Sequence, residues 1–239
     1  MTSAVQWGQA GGVISTGSTE IDRRIGGGIP YGTLMLIEGP AASGKSTLAQ
    51  QFLWGALASG EDAALYTTEQ TVQSFLRQMD SLGMDVRDYF LLDHLAIYPV
   101  SISPDSIEPD LLFQELSNHI RRQKACRVIL VDALTTFVSQ AGGDQIQDFF
   151  AGCKSLCDGG KVIICTIHSH AFDESILTRV RSVCDGYLRL QVERSGAQLL
   201  KLMEVAKIRG ADMNTGNISA FEVEPGFGLR IVPISRARA

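Results

Sequence analysis

The chain has 239 residues, of which 45% are hydrophobic and 20% charged, and this is enough apolar material for the core of one large domain. The composition excludes a disordered or collagen-like chain, and the net charge of −5 argues against a general polyanion binder. Because the longest apolar runs are only as long as a strand, we expect no membrane-spanning helix. Because the first residues are polar, we expect no signal peptide. Five cysteines, an odd count without paired spacing, suit a reducing cytoplasm.

Strand-like apolar runs alternate with amphipathic segments along the chain. Strands are predicted at residues 34–37, 63–66, 127–131 and 161–167. Helices are predicted at 45–58, at 72–82, from a capping Asp110 to Ile120, from a capping Asp144 onward, and up to about Cys184. Runs at 187–192 and 199–205 then flank Ser195-Gly196, which is a hairpin signal, and 219–232 predicts further strand.

This alternation predicts an α/β fold with a mainly parallel sheet, flanked by helices and ending in a β-rich C-terminal edge. No internal repeat or low-complexity tract divides the chain. We therefore expect a flexible lead-in over residues 1–12, a single domain over 13–235 and a short tail over 236–239.

A glycine-rich loop between the first predicted strand and its helix matches the pattern G-x-x-x-x-G-K-[ST]. Such a loop turns its backbone N–H groups toward phosphates, and the helix N-terminus adds a favourable dipole. Lys45 would reach the β- and γ-phosphates of ATP, and the Ser46 hydroxyl would bind Mg²⁺. The residues expected to bind the nucleotide here are Gly39, Pro40, Ala41, Ala42, Ser43, Gly44, Lys45, Ser46 and Thr47.

Asp132 ends a strand of four apolar residues, which brings its carboxylate to the rim of the sheet beside the phosphate loop. There it would hold the Mg²⁺ shell, usually through water. An Asp in this position is often only a turn cap, but its pairing with the phosphate loop favours the metal role.

Glu69 and His168 are candidates for the chemistry of hydrolysis. Glu69 follows the second predicted strand and would orient or deprotonate water, although a surface Glu that opens a helix is an equal alternative. His168 ends the fourth predicted strand, where a γ-phosphate sensor would lie.

These motifs together resemble the RecA-like P-loop ATPases of the KaiC group. Residues 26–32 match the lead-in to that group's first strand, 65–71 its catalytic strand end, Asp185-Gly186 a later strand entry, and Lys207-Ile208-Arg209-Gly210 its K-x-R-G signature. Within the group, the chain is most similar to the ATP-binding family of the archaellum (archaeal flagellum) motor, notably at residues 21–32, 77–82 and 98–100. The resemblance covers roughly residues 13–235.

The resemblance implies a cytoplasmic protein at the cytoplasmic face of the membrane, which it reaches through partners. Relatives form homo-oligomeric rings, a hexamer being expected, and partner the motor ATPase FlaI. It also implies that Lys207 and Arg209 contact ATP in trans, on the neighbouring subunit. The alternative is that both cations make surface ion pairs.

The chain departs from the KaiC pattern after the second strand, where Glu69-Gln70 replaces two consecutive acidic residues. Gln can orient a water molecule but cannot take its proton. We therefore expect ATP binding with slow or absent hydrolysis, as in a regulatory switch. The alternatives are an active KaiC- or RecA-like ATPase in signalling or in DNA recombination, although only about ten residues follow Asp132 where a DNA-binding loop would be needed.

Two other features of the sequence are interpreted as structural and not as functional sites. Cys153 and Cys157 fall on the apolar stripe of a helix, which favours core packing over half of a metal site. Arg121, Arg122, Lys124 and Arg127 form a cationic cluster. Its first three members lie at a predicted helix C-terminus, where cations suit the dipole, so no nucleic-acid partner is expected.

Overall fold

The structure, a computed structural model, describes residues 12–101, 109–139, 141–195, 198–210 and 216–233. Its helices are α1 (Thr19–Arg24), α2 (Lys45–Ala58), α3 (Val72–Ser81), α4 (Arg87–Leu91), α5 (Pro109–Arg122), α6 (Thr135–Val138), α7 (Gly143–Asp158) and α8 (Glu174–Val183). Its strands are β1 (Val13–Ile14), β2 (Ile29–Pro30), β3 (Leu34–Gly39), β4 (Ala63–Thr67), β5 (Leu95–Pro99), β6 (Val128–Asp132), β7 (Val162–His168), β8 (Gly186–Ser195), β9 (Gln198–Ile208), β10 (Asn217–Glu224) and β11 (Gly228–Val232).

The main sheet has the strand order β11-β10-β9-β8-β3-β7-β6-β4-β5. The ladders from β8 to β5 are parallel, whereas β8, β9, β10 and β11 pair with one another antiparallel. This arrangement confirms the predicted α/β class, with a mainly parallel sheet and a β-rich C-terminal edge.

Helices cover both faces of the sheet. One face packs against α2 and α3, through side chains such as Phe52 and Phe75, and the other packs against α5, α7 and α8. Because both faces are buried, the central strands carry runs of consecutive apolar residues instead of an alternating pattern, as the sequence indicated.

The predicted helix over 45–58 is confirmed residue for residue, and the other predicted strands and helices are found within a few residues of their expected bounds. The two expected caps are wrong. Asp110 lies inside α5, which begins at Pro109, and Asp144 lies in the first turn of α7, after the N-cap Gly142. The Gln145 side chain accepts the Gly142 N–H at 2.9 Å and so fills the capping role.

Cys153 and Cys157 are buried in the core, as expected, and burial raises the pKa of the Cys157 thiol to about 12. The lead-in and tail fall almost wholly on residues outside the described ranges, as does the turn between β8 and β9. Among the described residues, no helix combines the length and the apolar character needed to cross a bilayer.

The parallel strands bring the chain's functional candidates to one edge of the sheet. The carboxyl ends of β3, β4, β6 and β7 lie side by side, and each strand either ends in a predicted site residue or is followed by one. In open α/β sheets, ligands bind in the crevice outside this edge.

Candidate nucleotide-binding site

The phosphate loop joins the central strand β3 to the N-terminus of α2. Gly44 is the N-cap of α2 in a left-handed conformation (φ 92°), and a Cβ there would lie 3.0 Å from the ring of Phe221. Residue 39 must be glycine because a side chain has no room there: a Cβ would lie within 3 Å of both Leu190 and the Ser43 hydroxyl. No side chain caps α2, so its first N–H groups are available to an anion.

Lys45 supplies a buried positive charge to this loop. Its side chain is only 6% exposed, and the ammonium donates a hydrogen bond to the Pro40 carbonyl at 2.8 Å. Burial lowers the pKa of Lys45, while the nearby Asp132 and Glu69 act in the opposite direction. A phosphate in the loop would therefore meet a cation that is already desolvated.

Ser46 and Asp132 lie together beside the loop. The Ser46 hydroxyl donates to Asp132 Oδ1 at 3.0 Å, and the Thr166 hydroxyl donates to the same oxygen at 2.6 Å. Burial raises the pKa of the Asp132 carboxyl, and these two hydrogen bonds oppose that rise. The carboxylate is thus fixed by the neighbouring strand β7 and by α2.

The oxygens of Ser46 and Asp132 are ligands that Mg²⁺ prefers, so the site fits a magnesium ion. No group of three His, Cys, Asp or Glu side chains in the described part of the chain could hold a metal ion alone. Phosphate oxygens and water would therefore complete the coordination, as expected for an ion that arrives with a nucleotide.

The phosphate loop opens onto a cleft of about 430 Å³ that contains both hydrolysis candidates. Its lining consists of Ala41, Ala42, Gly44, Lys45, Ser46, Thr47, Glu69, Ala133, His168, Lys201 and Val223. The other predicted binding residues lie behind it: Ser43 is fully buried, and Pro40 provides the carbonyl that Lys45 contacts. The structure thus brings residues from six separate segments to one site.

His168 is positioned by its backbone, whose N–H donates to the Thr135 hydroxyl at 3.0 Å. Burial lowers the pKa of His168, Lys45 lowers it further, and Glu69 opposes both. The imidazole is therefore mainly neutral at neutral pH, and it can accept or donate a hydrogen bond at the phosphate end of the cleft.

Gln70 differs in its surroundings from its neighbour Glu69. The Gln70 amide donates to Gln78 on α3, and Gln78 in turn donates to Gln50 on α2 at 3.2 Å. Glu69 lines the cleft and Gln70 does not. The cleft therefore contains one carboxylate after β4, not a pair.

Lys201 is a cleft residue that the sequence analysis missed. It lies on β9, where it is paired with Val192 on one side and Phe221 on the other, and Phe221 packs beside Gly44. The side chain of Lys201 has no ion pair or hydrogen bond with any residue in the described ranges. A single Lys in a strand carries no motif, so only the folded sheet reveals it.

Lys207 and Arg209 lie at the opposite end of the sheet from the phosphate loop. β9 pairs Lys207 with Tyr187, and the Arg209 N–H donates to the Asp185 carbonyl, next to Leu34 at the start of β3. This is about 16 Å along β3 from Gly39, at 3.3 Å per residue. Neither cation lines the cleft of its own chain.

Both cations have partners within the chain. The Lys207 ammonium donates to carbonyls at the end of α8, at 3.2 Å for Arg181 and 3.3 Å for Ser182, and also contacts the Cys184 carbonyl. Arg209 pairs with Asp185 at 3.2 Å. Arg209 is nevertheless 57% exposed, so its guanidinium is accessible from outside.

Known proteins share this sequence pattern and this architecture. The model of the family "ATPase: KaiC" matches residues 14–236. The archaeal flagellar ATP-binding protein FlaH of Sulfolobus acidocaldarius is 34% identical over 95% of this chain and 100% of its own length.

Solved structures agree with the sequence matches. The crystal structure of the flagellar accessory protein FlaH from Methanocaldococcus jannaschii superposes with a TM-score of 0.81, at 28% identity over 92% of this chain and 98% of that one. A KaiC-like protein from Pyrococcus horikoshii shares the fold, with a TM-score of 0.76 at 20% identity over 92% of this chain and 99% of that one.

Proposed function

We propose that this chain is an ATP-binding component of the archaellum, because it belongs to the KaiC family of ATPases and, within that family, to the FlaH proteins. The family membership confirms the resemblance identified from the phosphate loop, the acidic strand end and the K-x-R residues. One observation carries the ATP-binding proposal. The glycine loop, the buried Lys45 and the Ser46–Asp132 pair converge on one cleft.

Each group at this site has a defined task in the proposed complex. The N–H groups at the start of α2 bind phosphate oxygens, and Lys45 neutralises the β- and γ-phosphates. Ser46 would hold Mg²⁺ directly and Asp132 would hold it through water. When bound, the ion would supply positive charge that offsets the negative charge of the phosphates.

We further propose that hydrolysis is slow or absent. Glu69 is the one carboxylate after β4 that lines the cleft, and His168 provides a neutral imidazole beside it. Residue 70 is Gln and donates to Gln78 on α3, so this position gives Glu69 no second acid for taking a proton from water. Such a site suits a switch that changes state when ATP binds better than it suits rapid turnover.

The remaining proposals concern assembly. The chain forms a ring, a hexamer by family resemblance, in which Lys207 and Arg209 contact the nucleotide of the neighbouring subunit. Nucleotide state then controls binding of FlaI at the cytoplasmic face of the membrane. The exposure of Arg209 and its distance from its own phosphate loop support a contact in trans.

The first test compares wild-type protein with Lys45→Ala by calorimetry with Mg·ATP, by light-scattering chromatography and by phosphate release. We expect Lys45→Ala to abolish measurable ATP binding, because a buried charged contact to phosphate is lost. Wild-type protein should assemble on ATP and turn over less than about once per minute.

Affinity for FlaI is measured in the same samples. If Lys45→Ala changed neither ATP affinity nor FlaI affinity, the switch proposal would be wrong. Brisk turnover by wild-type protein would instead establish a working ATPase in which Glu69 suffices as the base.

A further inference from the structure

Helix α4 (Arg87–Leu91) ends in two leucines that lie on the molecular surface. Leu91 is 75% exposed and Leu92, the C-cap, is 68% exposed. Tyr89 and Phe90 of the same segment pack partly against the core, so the inward face of α4 is already occupied. Adjacent exposed leucines on a short helix are typical of a contact surface for another molecule.

Carboxylates surround these leucines. Asp85 and Asp88 line a cleft of about 550 Å³ together with Tyr89, Leu92 and His94. Neither Asp88 nor Asp93 forms an ion pair with any residue in the described ranges.

The basic side chains nearby already have partners. Arg87 pairs with Asp80 at 3.0 Å and with Asp85 at 2.6 Å, and this pairing lowers the pKa of the Asp85 carboxyl. His94 pairs with Asp62 at 2.7 Å. The surface is therefore apolar at its centre and negatively charged around it.

This charge selects the kind of molecule that can dock. Nucleic acid and anionic lipid would be repelled, whereas a protein segment with lysine or arginine beside apolar side chains would be attracted. The cleft has room for one such cationic side chain beside Asp88, and Tyr89 offers a ring there.

The location leaves the nucleotide site free. α4 packs on β5 and leads directly into the amino end of that strand, at Leu95, whereas the nucleotide cleft lies at the carboxyl ends of the strands. A partner on α4 therefore does not compete with ATP for space.

We infer that the α4 surface, formed by Asp85, Asp88, Leu91, Leu92 and Asp93, is the docking site for a partner protein that presents apolar side chains flanked by lysine or arginine. This inference rests on the proposed archaellum function, whose proposed partner, the motor ATPase FlaI, serves as the probe in its test.

The experiment measures binding of purified FlaI from the same organism, with Mg·ATP, to full-length wild-type protein and to two surface variants. Leu91→Ser/Leu92→Ser removes the apolar centre, and Asp88→Asn/Asp93→Asn removes the unpaired charges. Leu199→Ser is the matched control, because Leu199 is also 70% exposed but lies on β9. ATP affinity, thermal unfolding and oligomeric mass are measured for every variant.

We expect the leucine variant to weaken FlaI binding by at least about tenfold and the control to leave it unchanged. The asparagine variant should bind more weakly than wild type at about 50 mM salt and converge with it at about 500 mM. ATP affinity should be the same throughout.

Three outcomes would overturn the inference. If both surface variants bind FlaI like wild type, α4 is not the docking site, although the proposed function stands. If wild-type protein does not bind FlaI in any nucleotide state, the proposed partner fails and this inference fails with it. If the leucine variant changes thermal stability or oligomeric mass, the chain itself or a second copy covers the leucines.

Discussion

Glu69 and Gln70 are consecutive residues whose side chains differ in position. Glu69 lines the cleft, and Gln70 is bonded to Gln78. We predict that Glu69→Gln retains ATP binding but reduces any phosphate release by about 100-fold, the usual contribution of a general base. Single-turnover phosphate release measures this directly.

Gln70→Glu recreates the consecutive acids of the KaiC pattern and serves as the companion variant. The Gln78 amide can rotate to donate to the new carboxylate, so the side chain is expected to stay outside the cleft and turnover to stay at the wild-type level. A several-fold gain in turnover would show that the second position enters the cleft after all.

Lys201 contributes a second, partly exposed cation at the rim of the cleft. The Lys45 ammonium and the positive end of the α2 dipole already attract phosphate there, and Lys201 adds a further positive charge. We predict that Lys201→Ala weakens ATP binding about three- to tenfold, as expected for a charge in partly screened contact with phosphate. Calorimetry at two salt concentrations measures this loss.

Lys124→Ala is the control for Lys201→Ala, because Lys124 is an exposed cation beyond the end of α5. It should bind ATP with wild-type affinity. Equal losses in both variants would mean that only the net charge of the protein matters, and that Lys201 makes no specific contribution.

At the scale of elements, α8 is joined to the strand that carries the phosphate loop. Glu38, the residue before Gly39, is 2% exposed and accepts hydrogen bonds from Arg181 of α8 at 2.9 Å and from the Tyr187 hydroxyl at 2.6 Å. A buried carboxylate at this point fixes the end of β3, and thus the start of the loop, relative to α8.

We predict that Arg181→Met destabilises the fold by about 3 kcal/mol, because it leaves the buried Glu38 charge without its cation. The double variant Glu38→Gln/Arg181→Met should recover most of this loss, since no buried charge remains. Urea unfolding gives the free energies. If the double variant were as unstable as Arg181→Met alone, packing of Arg181 and not its charge would account for the effect.

The elements around the phosphate loop were predictable because local physics determines them. An apolar run between glycines forms β3, and helical spacing of Leu48, Phe52 and Leu57 forms α2. Asp132 was predictable as a site residue because a buried strand that ends in a carboxylate is a local pattern as well.

Long-range pairing accounts for what the sequence did not predict. Glu38 and Arg181 are 143 residues apart, and Lys201 reaches the cleft only because β9 lies beside β8 and β10. α6 has four residues and α4 five, too few for a helical period to be recognised. In α4, moreover, the exposed leucines break the relation between apolar character and burial.

At the scale of the whole molecule, the proposed ring would give the two ends of the sheet different tasks. The phosphate loop lies at one end, and Lys207 and Arg209 lie at the other. A ring with head-to-tail contacts joins two different surfaces of the same chain, so each nucleotide can be bound by one subunit and contacted by the next. Single substitutions cannot establish this, because Lys207 also binds the carbonyls that end α8 and its loss could simply damage the fold.

Mixing two defective proteins separates a contact in trans from structural damage. We predict that neither Lys45→Ala nor Lys207→Ala/Arg209→Ala binds ATP tightly alone, but that an equal mixture regains about one tight site in four, since random order places an intact loop beside an intact cation pair at that frequency. Equilibrium dialysis counts the sites, and a triple variant mixed with wild type controls for dilution. If the cations acted within their own subunit, or only stabilised α8, no arrangement of the two proteins would create an intact site, and the mixture would bind no more ATP than its components.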